Sequence, residues 1–490
     1  MERIDGIGAL FYYLFGESFR RAVVAMYAFD ARAAATAPAT RDELAEHVMN
    51  RIGDEPLLHQ RLAPTPLKLD NPAWVADTIK PGRDRVTSRT VQGAGTWADT
   101  IATLEAIAAE PDAGEVPLEV ILLEGVNAMP ELPQGSIVIV LRTDHAAMDG
   151  TARAAIERKL FSSQPQDWRA QEPVAQYRAR RSLLPQPILL SALAGLVPRL
   201  ATTVQLVRQA NRIVDPAAGL EAEAGATEPS APVEPSAPVE PRPEQAPVRT
   251  SIDTDPDEPQ RVHEFLTVPL ATVAAARRAV AGATVNDVVV AAVTTALRAY
   301  LVENGELPDE PLQCFIPIAV PAAAGRTAGN NITRGTIPLW TTASDPIECL
   351  RLTHRTTSEV KNNVGTGRQF LLEQAALTMF APLAARQHRK DTKEGRSANV
   401  AITNTFRGKH PLYLGDAPAV RTQIVSRLNR GAPLTHQVTN LNDELMVSIS
   451  AGASSLPDPR RYRQLLHDAF TELAKSREAP SDDAGTVTVS

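Results

Sequence analysis

His145, Asp149 and Gly150, in the stretch Leu141-Arg-Thr-Asp-His-Ala-Ala-Met-Asp-Gly150, are the residues whose types and spacing best suit chemistry. An imidazole is the side chain whose ordinary titration falls near neutral pH, so His145 can serve as a general base. Asp149 is too near in sequence to be assumed the partner of the ring. It can instead turn inward to an Arg or to backbone N–H groups and shape the turn. Gly150 allows either a positive φ or a close backbone approach that a side chain would block. A metal held by His145 and Asp149 would need further ligands, and neither a Cys nor another His lies nearby.

The elements around these residues explain how they would be held. Residues 136–141 form a short, β-branched apolar run that predicts a strand buried on both faces, and 151–160 then reads as a helix. His145 therefore falls in a strand-to-helix turn, able to meet a substrate while a rigid strand fixes its backbone.

The rest of the chain bounds what such a base could act on. With 490 residues, 43% of them hydrophobic, and a net charge of −7, two lobes with their own cores are expected. The mild acidity and the lack of a basic stripe argue against a nucleic-acid binder. Arg178-Ala-Arg-Arg181 and His388-Arg-Lys390 are local basic stretches suited to phosphates or anionic lipid. Two cysteines, Cys314 and Cys349, offer no disulfide framework and suit a reducing cytoplasm. No secretory signal is visible at the charged N-terminus.

The most apolar long stretch, Pro187 to Pro198, is expected to be too short to span a bilayer, which takes about 20 residues. Joined to 200–213 and spaced by Arg199, Arg208 and Arg212, it reads either as a helix packed on its own lobe or as one lying in a membrane interface. Residues 216–250 collapse into Ala, Glu and Pro, with Glu-Pro-Ser-Ala-Pro-Val repeated from Glu228 and from Glu234, which predicts an extended linker. The expected organisation is thus a first lobe over 1–215, a linker over 216–250, a second lobe over 251–478 and a tail over 479–490.

In the second lobe, Thr284 and Asp287 form a capping-box pattern before a helix over 285–303. Asn286 and Asp287 then sit at a helix start, where they either order the wall of a site or simply cap. Strand-like runs at 313–319, 398–403 and 444–450 alternate with helical stretches near 345–362, 368–386 and 458–475, which allows two mixed-sheet α/β lobes. His59, His354, His388, His410 and His467 occupy polar or amphipathic stretches and are expected in solvent, whereas His436 is expected nearer the site.

His145-x-x-x-Asp149-Gly150 resembles the active-site signature of the CoA-dependent acyltransferase superfamily, and other segments narrow the resemblance to the bacterial wax ester synthase/diacylglycerol acyltransferase family. These are Arg3 to Phe11, Pro117 to Gly125, Ala283-Thr-Val-Asn-Asp to Ala292, Gly329-Asn330, Asp345-Pro346 and Asn399 to Leu414, in the family's order and over nearly the whole chain. The sequence departs from the family in three places. Asp144 precedes His145 where the family usually carries a second histidine. Pro321 stands where it tends to place an Arg, and Thr403-Asn-Thr-Phe-Arg-Gly408 replaces its Ser-Asn-Val-Pro-Gly segment.

The resemblance implies two chloramphenicol-acetyltransferase-like lobes of α/β (α+β) class with a channel between them and His145 near its middle. It implies transfer of a fatty acyl group from acyl-CoA, as co-substrate without a resident cofactor, to diacylglycerol or a long-chain alcohol. His145 would be the base, Asp144, Asp149 and Gly150 would shape the motif, and Asn286, Asp287, Asn330 and Asn404 would be channel or structural residues. Oxyanion donors are expected from backbone N–H groups around His145 and from Asn404. No Gly-x-Ser-x-Gly elbow and no Cys near a His is present, so direct transfer without an acyl-enzyme is expected. A cytoplasmic location is expected, with peripheral membrane or lipid-droplet contact through the apolar helix. The alternatives are a lipid- or CoA-binding relative without activity, and an acyltransferase for another alcohol or amine.

Overall fold

A computed structural model describes residues 2–14, 22–110 except 33, 116–127, 132, 135–175, 177, 185–212, 247–253, 258, 260–319, 332–363, 368–393, 398–426 and 432–475. The linker expected over 216–250, apart from 247–250, lies outside them, as do the 479–490 tail, Asn330, Pro321 and Arg178 to Arg181.

Strands β1 (Ala22–Phe29), β4 (Val86–Thr90), β5 (Leu118–Glu124), β6 (Ile137–Asp144), β11 (Tyr413–Leu414) and β12 (Ala417–Ser426) build a first sheet in the order β11-β12-β1-β6-β5-β4. β7 (Arg261–Pro269), β8 (Leu312–Ala319), β9 (Ile332–Leu339), β10 (Val400–Thr405), β13 (Leu434–Leu441) and β14 (Glu444–Gly452) build a second in the order β7-β14-β13-β10-β8-β9. β2 (Gln60–Ala63) and β3 (Ala73–Ala76) pair separately. Both large sheets are mixed: β4 with β5, and β10 with β8 and β13, run parallel, while the other pairs are antiparallel. Two mixed-sheet α/β lobes result.

The centre of the first sheet is apolar on both faces because both are covered. Every residue of β1 is buried. Tyr27 of β1, Leu118, Val120 and Leu122 of β5, and Ile139 and Leu141 of β6 pack with α2 (Arg41–Ile52) and α4 (Gly150–Leu160) on one face. Val24, Met26, Val138 and Val140 meet α3 (Trp97–Ala109) on the other.

The second sheet is backed by α6 (Leu270–Arg277), α7 (Val285–Glu303), α8 (Pro346–Asn363) and α10 (Pro459–Lys475). α7 begins at the expected capping box, in which Asp287 N–H donates to Thr284 Oγ1 and Thr284 N–H to Asp287 Oδ2. A third layer of helices, α1 (Gly6–Leu14), α5 (Pro185–Ala210) and α9 (Arg368–Lys393), lies outside the sheets, with α9 packed on both α1 and α5.

Two features differ from the sequence expectation. β11 and β12 belong to the second half of the chain yet complete the first sheet, with β12 antiparallel to β1. Division of the lobes by chain position misses this because the pairing is non-local. The apolar stretch Pro187 to Pro198 alone is expected to be too short to span a bilayer, but together with the segment joined to it it forms one helix of 26 residues, long enough to cross a membrane by length alone. An internal Pro costs about 3 kcal/mol through its missing N–H and its clash with the preceding turn. Here the carbonyl it leaves without a helical donor belongs to Ala194, an exposed position open to water.

Candidate active site

β6 ends at Asp144, and α4 starts at Gly150, so the five residues between them make the turn that carries His145. Asp144 folds its first half. Its carboxylate accepts from Ala146 N–H (2.8 Å), and its carbonyl accepts from Ala147 N–H (3.0 Å) and Met148 N–H (3.2 Å). Asp149 closes the second half as the N-cap of α4, its Oδ1 accepting from Ala152 N–H at 2.8 Å. Both acids are thus engaged within the turn. Across 141–149 every residue is buried except His145, which is half-buried.

Phe11 of α1 stacks on the imidazole, with ring centroids 4.5 Å apart and planes at 28°. The sequence marks this segment by resemblance but not this contact. Asp5 Oδ1 accepts from Gly8 N–H (2.7 Å) and starts the helix. Gly6 lets α1 lie close on α9, because a Cβ there would stand 2.9 Å from Leu377 Cβ.

Gly150 does not adopt a positive φ. A Cβ at this position would meet Thr405 Oγ1 at 2.3 Å, so close packing against β10 of the second sheet is what requires glycine. Asn404 is the strand neighbour of Thr405, and successive side chains leave a strand on opposite faces. Thr405 is the one of the two that lies against the motif glycine. The Oδ1 atom of Asn404 is buried without a hydrogen-bond partner among the described residues. The backbone amides of 146–148 are already given to Asp144. This corrects the expectation that backbone donors around His145 are available to an oxyanion, as far as these three are concerned.

A buried ionic cluster locks the same seam. Arg407 Nε lies 2.6 Å from Glu157 Oε2, and the guanidinium also donates to Tyr27 Oη (2.9 Å) and Thr422 Oγ1 (3.1 Å). Arg153 Nε donates to Glu157 Oε1 (3.1 Å), and Tyr27 Oη donates to the same oxygen. Burial pushes the Glu157 carboxyl up, but the charges of Arg407 and Arg153 outweigh it and hold the group below the ordinary carboxylate range. α4 is thereby tied to the segment that follows β10. The sequence marked the 403–408 segment as a departure from the family but not this cluster, because the partners of Arg407 lie 250 and 380 positions away.

Asn286 and Asp287 stand at the start of α7 in the second lobe. Asp287 is fully buried in the second lobe, where it accepts from Thr357 Oγ1 (2.6 Å) and lies 2.9 Å from His354 Nδ1 on α8. Against the upward push of burial, these hydrogen bonds lower its pKa. It anchors the start of α7 to α8, and Asn286 beside it is half-buried. His354, expected in solvent, is therefore paired, and His59 stacks on Tyr177 at 4.7 Å. His436, expected near the site, is fully buried and bonded to Tyr462 Oη at 2.8 Å, and burial pushes its pKa down to about 3. It is a core residue because α10 covers its face of the sheet. Two clefts lined by described residues run along α5 from Val197 to Arg212 and beside Arg407 and Glu157; neither includes His145.

The wax ester synthase/diacylglycerol acyltransferase catalytic domain matches residues 4–289, and the C-terminal domain of that family matches 328–474. A probable diacylglycerol O-acyltransferase of Mycobacterium tuberculosis is 27% identical over 363 residues, covering 74% of each chain. Among solved structures, the wax ester synthase/diacylglycerol acyltransferase from Marinobacter aquaeolei superposes with a TM-score of 0.63 at 20% identity, over 96% of this chain and 98% of that one. The trichothecene 15-O-acetyltransferase from Fusarium sporotrichioides gives 0.59 at 12% identity, over 96% and 95%. At these identities the two structures show a shared fold.

Proposed function

Because this chain belongs to the wax ester synthase/diacylglycerol acyltransferase family, we propose that it transfers a fatty acyl group from acyl-CoA to the hydroxyl of diacylglycerol or a long-chain alcohol, with His145 as base. The observation that carries this reading is the placement of His145. It is the one half-buried residue in an otherwise buried, doubly capped turn at the end of a central strand.

In this reading the acceptor hydroxyl and the thioester carbonyl meet beside the imidazole, in a channel between the lobes. His145 takes the hydroxyl proton as the oxygen attacks the carbonyl carbon. The tetrahedral intermediate collapses by breaking the C–S bond, and the departing CoA sulfur takes the proton back from the imidazolium. General-base help of this kind contributes about 10²–10⁴-fold, and holding both substrates together contributes further. The amide of Asn404, the strand residue before Thr405, is the candidate donor to the oxyanion. Neither cysteine suits a covalent route, since both are buried and burial pushes Cys349 up to about 11 and Cys314 higher still.

The test is acyl transfer from a long-chain acyl-CoA to diacylglycerol and to a long-chain alcohol, followed by release of free CoA. His145→Ala should lose about 10²-fold or more of the rate with an unchanged far-UV spectrum and melting profile. Ordinary turnover in that variant would remove His145 from the mechanism.

A further inference from the structure

Two helices among the described residues are long and apolar enough to cross a membrane, and they differ in how they are covered. α7 is a core helix, with 67% of its most apolar stretch buried; for α5 the share is 11%. On α5, Leu190, Leu193, Val197, Leu200 and Val204 are 66%, 52%, 73%, 53% and 39% exposed. Their alternating spacing of three and four puts them in one stripe along the helix. A contiguous apolar stripe of this kind marks a surface that meets something other than water.

The opposite side of α5 is clamped to the protein. Ile188 and Ala192 are buried, Arg3 donates to Ser191 Oγ (2.8 Å), and Arg199 pairs with Asp70 (2.8 Å) and donates to the Leu69 carbonyl (2.8 Å). Asp70 also pairs with Arg3 at 2.7 Å. Spanning a bilayer would break this charged cluster, so the helix lies flat. α9 extends the exposed apolar surface with Phe380 (53%) and Leu383 (62%), and the 3-10 turn Pro66–Lys68, packed on α5, adds Leu67 at 86%.

Charge selects the occupant. From Pro185 to Ala210 there is no Asp or Glu, while Arg208, Arg212 and Lys68 are exposed around the stripe. Cations flanking an apolar face, with no acid within it, fit a surface that sinks among anionic headgroups. We propose that α5 and the adjoining edge of α9 form an in-plane docking face for a bilayer that carries anionic phospholipid. The buried face of α9, through Leu377, Ala381 and Ala385, packs on α1, whose Phe11 covers His145. A docked bilayer would therefore lie one helix layer from the imidazole and supply the lipid acceptor; that last step rests on the acyltransfer reading, whereas the docking itself does not.

The experiment is flotation of the full chain with phosphatidylcholine vesicles, with and without roughly one third phosphatidylglycerol. The wild type should float with the anionic vesicles, and Leu193→Glu/Leu200→Glu should bind them about tenfold or more weakly while keeping its melting profile. Arg208→Glu/Arg212→Glu should lose the preference for anionic vesicles. Both variants should retain transfer to a detergent-dispersed acceptor and lose it for a vesicle-borne one. Equal vesicle binding by wild type and the Leu variant, or no binding by the wild type, would overturn the docking face. So would light scattering showing that the Leu substitutions only dissociate a dimer. Absence of transfer to every acceptor would overturn the enzymatic reading and leave the flotation result to decide the docking.

Discussion

Phe11 lies against the imidazole of His145 at a centroid distance of 4.5 Å, so a helix from the first turns of the chain roofs the residue that the β6–α4 turn presents. Aromatic pairs of this geometry contribute about 0.5–1.5 kcal/mol. Phe11→Ala should lower kcat/KM by about two- to tenfold, with Phe11→Tyr near the wild type. Equal activity of the Ala variant would show that the ring orientation does not depend on the stack.

The contact between Gly150 and Thr405 predicts a suppressor. Gly150→Ala forces a Cβ into Thr405 Oγ1 and should cost about 1–3 kcal/mol of stability as well as activity. Adding Thr405→Ala removes the clashing atoms and should restore much of both. Failure of the second substitution to recover the melting temperature would place the need for glycine elsewhere.

Removing one member of the Glu157–Arg407 pair leaves a buried charge short of a partner. Arg407→Met should destabilise the fold by about 3–5 kcal/mol in denaturant titration, and Arg407→Met/Glu157→Gln should cost less than the two single changes together. Additive losses would mean that the two groups are not coupled.

Two buried histidines set an acid dependence. Burial lowers His436 to about 3 and His47 to about 4, both from an ordinary 6.5. The unfolded chain binds these protons below about pH 6.5 while the folded chain refuses them, so stability is full above that pH and falls as the pH drops toward the folded values. Between pH 6.5 and 5 the loss should be roughly 2 kcal/mol for each histidine, read as a shift in the urea midpoint. A midpoint unchanged over that range would contradict the burial of both rings.

Local signals were legible in the sequence, and distant ones were not. The helix over 285–303 and its Thr284–Asp287 cap, the β6 strand and the turn that holds His145 depend on neighbours within a few positions. Arg407 and Tyr27 depend on partners hundreds of positions away, and neither residue type in its own segment announces them. His436 reads as polar in sequence, yet it lies in the core with its Nε2 bonded to Tyr462 Oη. The joined apolar segment of α5 was legible as a helix from its spacing, and it runs through Pro198 because water can replace the lost helical bond there.

The return of β12 to pair with β1 has a consequence for how the molecule comes into being. A nascent chain that has emerged only as far as residue 400 still has an open edge along β1, its apolar faces incomplete. The first lobe must wait for residues 417–426 to be made before it can close. For the same reason, a fragment ending before 417 would be prone to aggregate.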